Sequence, residues 1–194
     1  MIKVGDKLPA FSVDATVSMD LETAFEQVTD QSYPGKWKVL FFWPKDFTFV
    51  CPTELVAFNK LYEDFQDRDA QLLGASVDSE FVHLAWKQSR DDLAEIKYPM
   101  LADVKRELSQ ALGILDEASG VSQRAVLLVD PQNIVRFVMV TDMSVGRNTK
   151  EVLRVLDALQ TDELCPCNWK QGEETIDLSS TPELEEANQA EVVE

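Results

Sequence analysis

Soft side chains are scarce in this 194-residue chain: it has three cysteines and one histidine. Three thiols cannot make a disulfide framework, and with one histidine they supply too few ligands for a closed zinc site, so redox chemistry is the better use for them. Positive charge is scarce too, with 18 Lys and Arg against 35 Asp and Glu and a formal net charge of −17. Nucleic-acid affinity rests on neutralising phosphates with basic groups, so nucleic acid is excluded as a natural partner. The charge reads as solubility rather than as an acidic recognition patch. There is no run of eighteen apolar residues, and Met1-Ile2-Lys3-Val4-Gly5-Asp6 has no apolar segment after its lysine. Neither a membrane span nor a secretory signal is expected, and a cytoplasmic location follows. From Gly172 onward Lys and Arg are absent while acidic residues recur, so residues 171–194 are expected to be an acidic, mobile tail.

What is present suits one α/β domain with a single core: 45% hydrophobic and 27% charged residues over a length too short for two comfortable domains. The section from Ile2 to Trp37 is loop-rich, with a short helix expected around Asp20 to Val28 and turn signals at Tyr33-Pro34-Gly35. Lys38 to Trp43 and Gln71 to Val77 read as buried strands, and a helix is expected from about Ser79 to Arg90. Met100-Leu101-Ala102 reads as a brief extended segment, and Val104 to Leu112 as a short helix ended by Gly113. Ala125 to Val129 and Ile134 to Val140 flank the turn Asp130-Pro131-Gln132-Asn133 as an antiparallel hairpin. Thr149 to Gln160, with Val152, Leu153, Val155, Leu156 and Leu159 on one face, closes the domain as a helix. Alternating strands and helices in the first half predict parallel pairing.

One position stands out chemically. Cys51 lies where the apolar strand Lys38–Trp43 gives way to a helix whose Leu55, Val56, Phe58, Leu61, Tyr62 and Phe65 share a face. Pro52 suits the first helical position, where its missing N–H costs nothing, which puts Cys51 at or beside the N-cap. Unpaired backbone N–H groups and the helix dipole there favour thiolate over thiol. A cysteine among phenylalanines is also, often, a small buried hydrophobe, and helix geometry leaves both readings open. Taken alone, Arg124 reads as a solvated strand-end charge, Thr48 as a turn residue, and His83 as a packed or capping histidine.

Pro44, Thr48 and Cys51 match the Pro-x-x-x-Thr-x-x-Cys pattern of peroxiredoxins, and Phe41 to Glu54 resembles the typical two-cysteine subgroup. The resemblance continues through Ser76 to Trp86, Arg124 ahead of Leu127 to Asp130, Val145-Gly146-Arg147, and Cys165-Pro166-Cys167-Asn168-Trp169. Within that family it is similar to the peroxidase-subunit branch of bacterial alkyl hydroperoxide reductases, and it covers all but the last twenty or so residues. It implies a single thioredoxin-like domain over residues 1–170, a central mixed sheet flanked by helices, with a resolving-cysteine arm at 161–170.

The resemblance also assigns roles. Cys51 is implied to attack the O–O bond as a thiolate and become a sulfenic acid, with peroxide as substrate and neither cofactor nor metal required. A free thiol of pKa about 8.5 is only a few per cent ionised at neutral pH, so full ionisation gains roughly thirtyfold, or about 2 kcal/mol. Part of that returns as lost nucleophilicity, so the larger share must come from groups aimed at the peroxide oxygens. Arg124 and Thr48 are the implied groups, Pro44 a shield, and Glu54 and Arg147 supporting members that orient an arginine. Cys165 matches the resolving cysteine, which in such proteins meets Cys51 of a second subunit in an intersubunit disulfide. Homodimers assembling into a ring, and reduction by a thioredoxin-like, flavin-dependent or other adaptor reductase, follow from the same resemblance. Cys167 departs from the pattern and is a candidate disulfide relay or a silent thiol; Trp43 departs by replacing a tyrosine.

Two rivals stand beside this reading. A thioredoxin-like dithiol oxidoreductase needs Cys-x-x-Cys at the junction, and position 54 is Glu. A noncatalytic holdase or scaffold has only the acidic surface and tail behind it.

Overall fold

The computed structural model describes residues 1–178. The chain forms two compact units, Met1–Leu153 and the stretch from Arg154 onward. In chain order the elements are β1 (Ser12–Thr16), β2 (Phe25–Thr29), β3 (Trp37–Phe42), α1 (Cys51–Lys60), α2 (Tyr62–Gln66), β4 (Ala70–Ser76), α3 (Glu80–Gln88), α4 (Asp91–Ala94), β5 (Met100–Ala102), α5 (Glu107–Ala111), β6 (Leu115–Asp116), β7 (Val121–Ser122), β8 (Arg124–Val129), β9 (Val135–Thr141) and α6 (Thr149–Gln160).

Seven strands form one mixed sheet in the order β2-β1-β5-β4-β3-β8-β9, and β6 and β7 form a small separate ribbon. β3 and β5 both run parallel to β4, as the alternating strands and helices predict. β8 runs antiparallel to β3 and to β9, so the sheet is the expected mixed one. The β8–β9 turn closes through the Asp130 carboxylate, which accepts from the N–H groups of Gln132 and Ile134 at 2.9 Å each.

β3, β4 and β8 are buried along nearly their whole lengths, and their alternating side chains feed two layers. Leu40, Phe42, Leu73, Ala75, Leu127 and Val129 join Leu108 and Leu112 in one core cluster. On the other face Phe41 stacks on Phe58 of α1 at 4.1 Å and meets the ring edge of Tyr98 at 5.4 Å. Each such ring, fully buried, stabilises the fold by roughly 1.5–3 kcal/mol. Gly74 is required by this layer, because a Cβ there would stand 2.8 Å from the Trp43 ring and 2.9 Å from that of Phe41.

Three elements differ from expectation. The helix expected over Asp20 to Val28 is absent: residues 19–24 form a turn, and Phe25–Thr29 pairs antiparallel with β1. Phe25, Val28 and Thr29 are strand formers, and a pairing partner decides the matter that a short window leaves ambiguous. The Cys51 helix breaks at Leu61 (φ −100°, ψ 10°) into α1 and α2. Finally α5 begins only at Glu107, because Arg106 takes a left-handed conformation and the Asp103 carboxylate accepts the N–H groups of Leu108 and Ser109. Gly113, at φ +68°, follows that helix as expected.

α6 has the predicted bounds. Beyond it, Ile176 N–H donates to the Leu164 carbonyl at 2.8 Å, and the Trp169 indole donates to the Glu173 carbonyl at 2.9 Å. The acidic tail expected over 171–194 is therefore bonded back to the preceding segment at its start, and its residues 179–194 lie outside the described residues. Among the described residues no helix is long and apolar enough to cross a membrane.

Candidate active site

β3 ends at Phe42, and the chain leaves the sheet through Trp43, whose N–H still donates to the Ala75 carbonyl at 3.0 Å. Residues 44–50 carry it to α1, of which Cys51 is the first residue, Val50 the N-cap and Pro52 one of the first two helical positions. The N-cap lies one residue earlier than Pro52 at the first position predicts. No side chain caps this helix; the Val50 carbonyl instead accepts from the N–H and hydroxyl of Thr53. The Cys51 sulfur thus lies at the positive end of α1 and is only 1% exposed.

Two arginines from later in the chain complete its surroundings. Arg124 opens β8, and its Nη1 donates to Cys51 Sγ at 3.4 Å and to Glu54 Oε2 at 2.6 Å. Its Nε donates to the Met143 carbonyl at 2.6 Å, which fixes the fork. Arg147 grips the same Glu54 through Nε (2.7 Å), Nη2 (3.0 Å) and its backbone N–H (2.9 Å). Its Nη1 donates to the Ala125 carbonyl at 2.6 Å, and the guanidinium lies over the Phe41 ring. All four side chains are buried. Two guanidinium charges against one carboxylate leave a surplus of one positive charge beside the sulfur.

Cys51, Glu54, Arg124 and Arg147 are therefore brought together, although each arginine lies at least seventy residues from Cys51. Pro44 is half-buried on the loop. Thr48 departs from expectation: its hydroxyl donates to the Lys45 carbonyl at 3.0 Å, and the expected bond to the sulfur is not among the described contacts. The turn at Phe47, with φ +55°, returns the chain so that the Lys45 carbonyl meets the residue three positions on.

Cys165 and Cys167 lie in the second unit. Cys165 is half-buried, with Sγ 3.5 Å from Thr161 Oγ1 and 3.8 Å from the Ala158 carbonyl, and Cys167 is exposed. Both line an open cleft of about 490 Å³ with Val155, Ala158 and Leu159. All three thiols are free.

One group escaped the sequence reading. Asp46, on the loop before Cys51, is buried and takes the Trp43 indole N–H at 2.7 Å and His83 Nδ1 at 2.7 Å. His83 is packed, as its helix pattern indicated, but it also ties the loop to α3. The available signal was the single histidine of the chain on a helix, together with a carboxylate in the loop just before Cys51.

A family model described as the AhpC/TSA family matches residues 4–138. Alkyl hydroperoxide reductase C of Mycolicibacterium smegmatis is 55% identical over 184 residues, spanning 91% of this chain and 94% of that protein. The solved structure of Mycobacterium tuberculosis AhpC superposes with a TM-score of 0.80 at 52% identity, covering 88% of this chain and 99% of that one. A reduced 2-Cys peroxiredoxin from Plasmodium vivax gives a TM-score of 0.83 at 36% identity, covering 90% and 93%.

Proposed function

The chain belongs to the AhpC/TSA family, and from that premise we propose a thiol peroxidase cycle in which Cys51 takes oxygen from a hydroperoxide and Cys165 regenerates it. The observation that carries the reading is the Arg124 Nη1 group, which reaches Cys51 Sγ and Glu54 at once.

In the first step the Cys51 thiolate attacks one peroxide oxygen in line with the O–O bond. An S–O bond forms, the O–O bond breaks, and the departing alkoxide or hydroxide takes a proton to leave as alcohol or water. Charge moves from sulfur to the leaving oxygen. The Arg124 guanidinium, held by Glu54 and the Met143 carbonyl, stands where it can stabilise both ends of that movement without reorganising. Arg147 keeps Glu54 in place rather than touching substrate. Thr48 contributes its hydroxyl oxygen as an acceptor for the incoming peroxide proton, its own proton being committed to Lys45. Pro44 screens the sulfur from water.

In the second step Cys165, on the 161–170 arm of a domain spanning residues 1–170, attacks the Cys51 sulfenic sulfur of a second copy and expels hydroxide. An external protein dithiol, thioredoxin-like, flavin-linked or another adaptor, reduces the resulting disulfide. β9 stands at one edge of the sheet and is partly exposed, a place where a second copy could pair, in keeping with a homodimer that closes into a ring. The cytoplasm, which keeps thiols reduced, is the compartment that suits this cycle. Cys167 is not required by it. A dithiol oxidoreductase is disfavoured because Glu54, where its second cysteine would stand, is bound to two arginines.

The test is single-turnover peroxide consumption by the reduced protein. Wild type should consume one equivalent per Cys51, and Cys51→Ser none. Stoichiometric consumption by that variant would overturn the assignment, and full chaperone activity without any peroxide consumption by wild type would favour the holdase.

A further inference from the structure

A sulfur that is 1% exposed can meet a small peroxide, but it cannot meet the sulfur of another side chain. The cycle therefore needs a closed arrangement for oxidation and an opened one for disulfide formation. What sets the balance is whatever holds residues 44–50 in the closed form.

That loop is held unevenly. Phe47 sits at φ +55°, a left-handed conformation that a bulky side chain adopts only when its surroundings impose it. Phe47 is 58% exposed and Phe49 93% exposed, so neither is fixed by a core. The Thr48 hydroxyl bond to Lys45 is internal to the loop.

Asp46 is different. Its carboxylate takes the Trp43 indole N–H and His83 Nδ1, each at 2.7 Å, with Ser76 Oγ 3.4 Å away. Its backbone N–H donates to Asp78 Oδ2 at 2.8 Å, and the same Asp78 oxygen accepts from Ser76 Oγ at 2.9 Å. One loop residue is thereby bonded to the end of β3, to the segment after β4 and to α3.

His83 is fully buried and has an acceptor at each ring nitrogen: Asp46 Oδ2 at one and the Leu101 carbonyl, 3.1 Å away, at the other. Both bonds are made together only when the pair holds two protons, as imidazolium with carboxylate or imidazole with carboxylic acid. The Trp43 ring, 5.5 Å from the imidazole, and the Phe47–Trp86 contact at 5.8 Å complete the seam between loop and α3.

We infer that Asp46 and His83 are positioning residues for the peroxidase reaction: their buried pair holds the loop closed over Cys51, favouring oxidation by peroxide and retarding exposure of the sulfur to Cys165. The inference rests on the reading of Cys51 as the reacting thiol. Trp43 belongs to the same device, since its indole N–H is the donor that fixes the second Asp46 oxygen. An aromatic there without a donor leaves that oxygen only the long bond from the Ser76 hydroxyl, at 3.4 Å.

The test separates the two steps in the full-length reduced protein. Stopped-flow measurements give the second-order rate of Cys51 oxidation by peroxide and the first-order rate of disulfide formation that follows. Asp46→Ala should lower the first tenfold or more and raise the second several-fold, because the closed population falls as the opened one rises. His83→Gln, whose single amide nitrogen cannot stand at both ring-nitrogen positions and so keeps one of the two bonds, should lie between wild type and Asp46→Ala. The Trp43 indole N–H resonance, assigned with Trp43→Phe, should move in both variants and stay put in a control such as Leu127→Ala.

A merely structural role predicts that both rates fall together. A parallel fall, or unchanged rates in His83→Gln that retains the wild-type circular dichroism spectrum, would overturn the inference. If Asp46→Ala does not fold, Asp46→Asn and His83→Gln carry the same comparison. Failure of wild type to oxidise at Cys51 would instead overturn the reading of the site.

Discussion

Cys51 and Cys165 carry the same thiol in opposite surroundings. The first is sealed at a helix start, within reach of an arginine that is itself gripped by a carboxylate and a carbonyl. The second is half-buried, bonded weakly to Thr161 and a carbonyl, beside an open cleft. A nucleophile that must polarise an O–O bond profits from fixed charges in a dry setting, whereas one that must travel to a sulfenic acid profits from few attachments. On the proposed cycle, the division of labour lies in the surroundings and not in the residue.

The sharpest way to break this comparison is to remove the buried sulfur. Cys51→Ser should fold, retain Cys165 and Cys167 as free thiols, and lose peroxide consumption entirely in a direct assay. Activity surviving there would mean that surroundings do not decide which thiol reacts.

Next comes the charge balance. Glu54→Gln keeps the size of the side chain but leaves two buried guanidinium groups without their carboxylate, which should cost about 3–5 kcal/mol in urea unfolding. Loss of less than about 1 kcal/mol would show that solvent already screens the cluster.

Arg124→Ala removes the group that touches both sulfur and Glu54. The rate of Cys51 oxidation should fall by about 10²–10³, the cost of removing one aimed transition-state donor. The same kind of change at Cys165's neighbour, Thr161→Ala, should leave that rate untouched, since no fixed charge is lost.

The smallest effect concerns the layer beneath α1. The Tyr98 hydroxyl, fully buried, donates to the Leu55 carbonyl at 2.8 Å, and burial raises its pKa well above the ordinary value of 10.0. Its folded-state pKa is raised, so its contribution is fully present below pH 10 and is lost as pH rises toward the folded value. Tyr98→Phe should cost about 1 kcal/mol at neutral pH through the lost hydrogen bond. That gap should narrow above pH 10, because only wild type must keep a phenol un-ionised. A gap that stays constant between pH 8 and 11 would contradict the burial account.

How much of this was legible in the sequence follows the range of the interactions. Strands such as Lys38–Trp43 and the hairpin about Asp130-Pro131-Gln132-Asn133 announce themselves through runs and turn residues, so the parallel and antiparallel halves of the sheet could be read directly. The strand at Phe25–Thr29 could not, because its identity comes from register with β1 rather than from its own five residues. Cys51 was visible through the strand-to-helix junction. The arginines were visible only through family resemblance, since nothing local tells Arg124 from a solvated strand end, and it is the return of β8 beside β3 that brings it to the sulfur. The Thr48 hydroxyl bond and the Asp46–His83 pair depend on the path of a seven-residue loop, which spacing alone does not encode.

The central claim is tested most directly by following Cys165→Ser and wild type through one turnover with a single equivalent of peroxide. The account predicts identical rates of Cys51 oxidation in the two, followed by disulfide formation in wild type and a persisting sulfenic acid, trapped by dimedone and seen by mass spectrometry, in the variant. A slowed first step in Cys165→Ser, with the fold intact, would show that the exposed thiol takes part in peroxide chemistry and would contradict the division between the two regions.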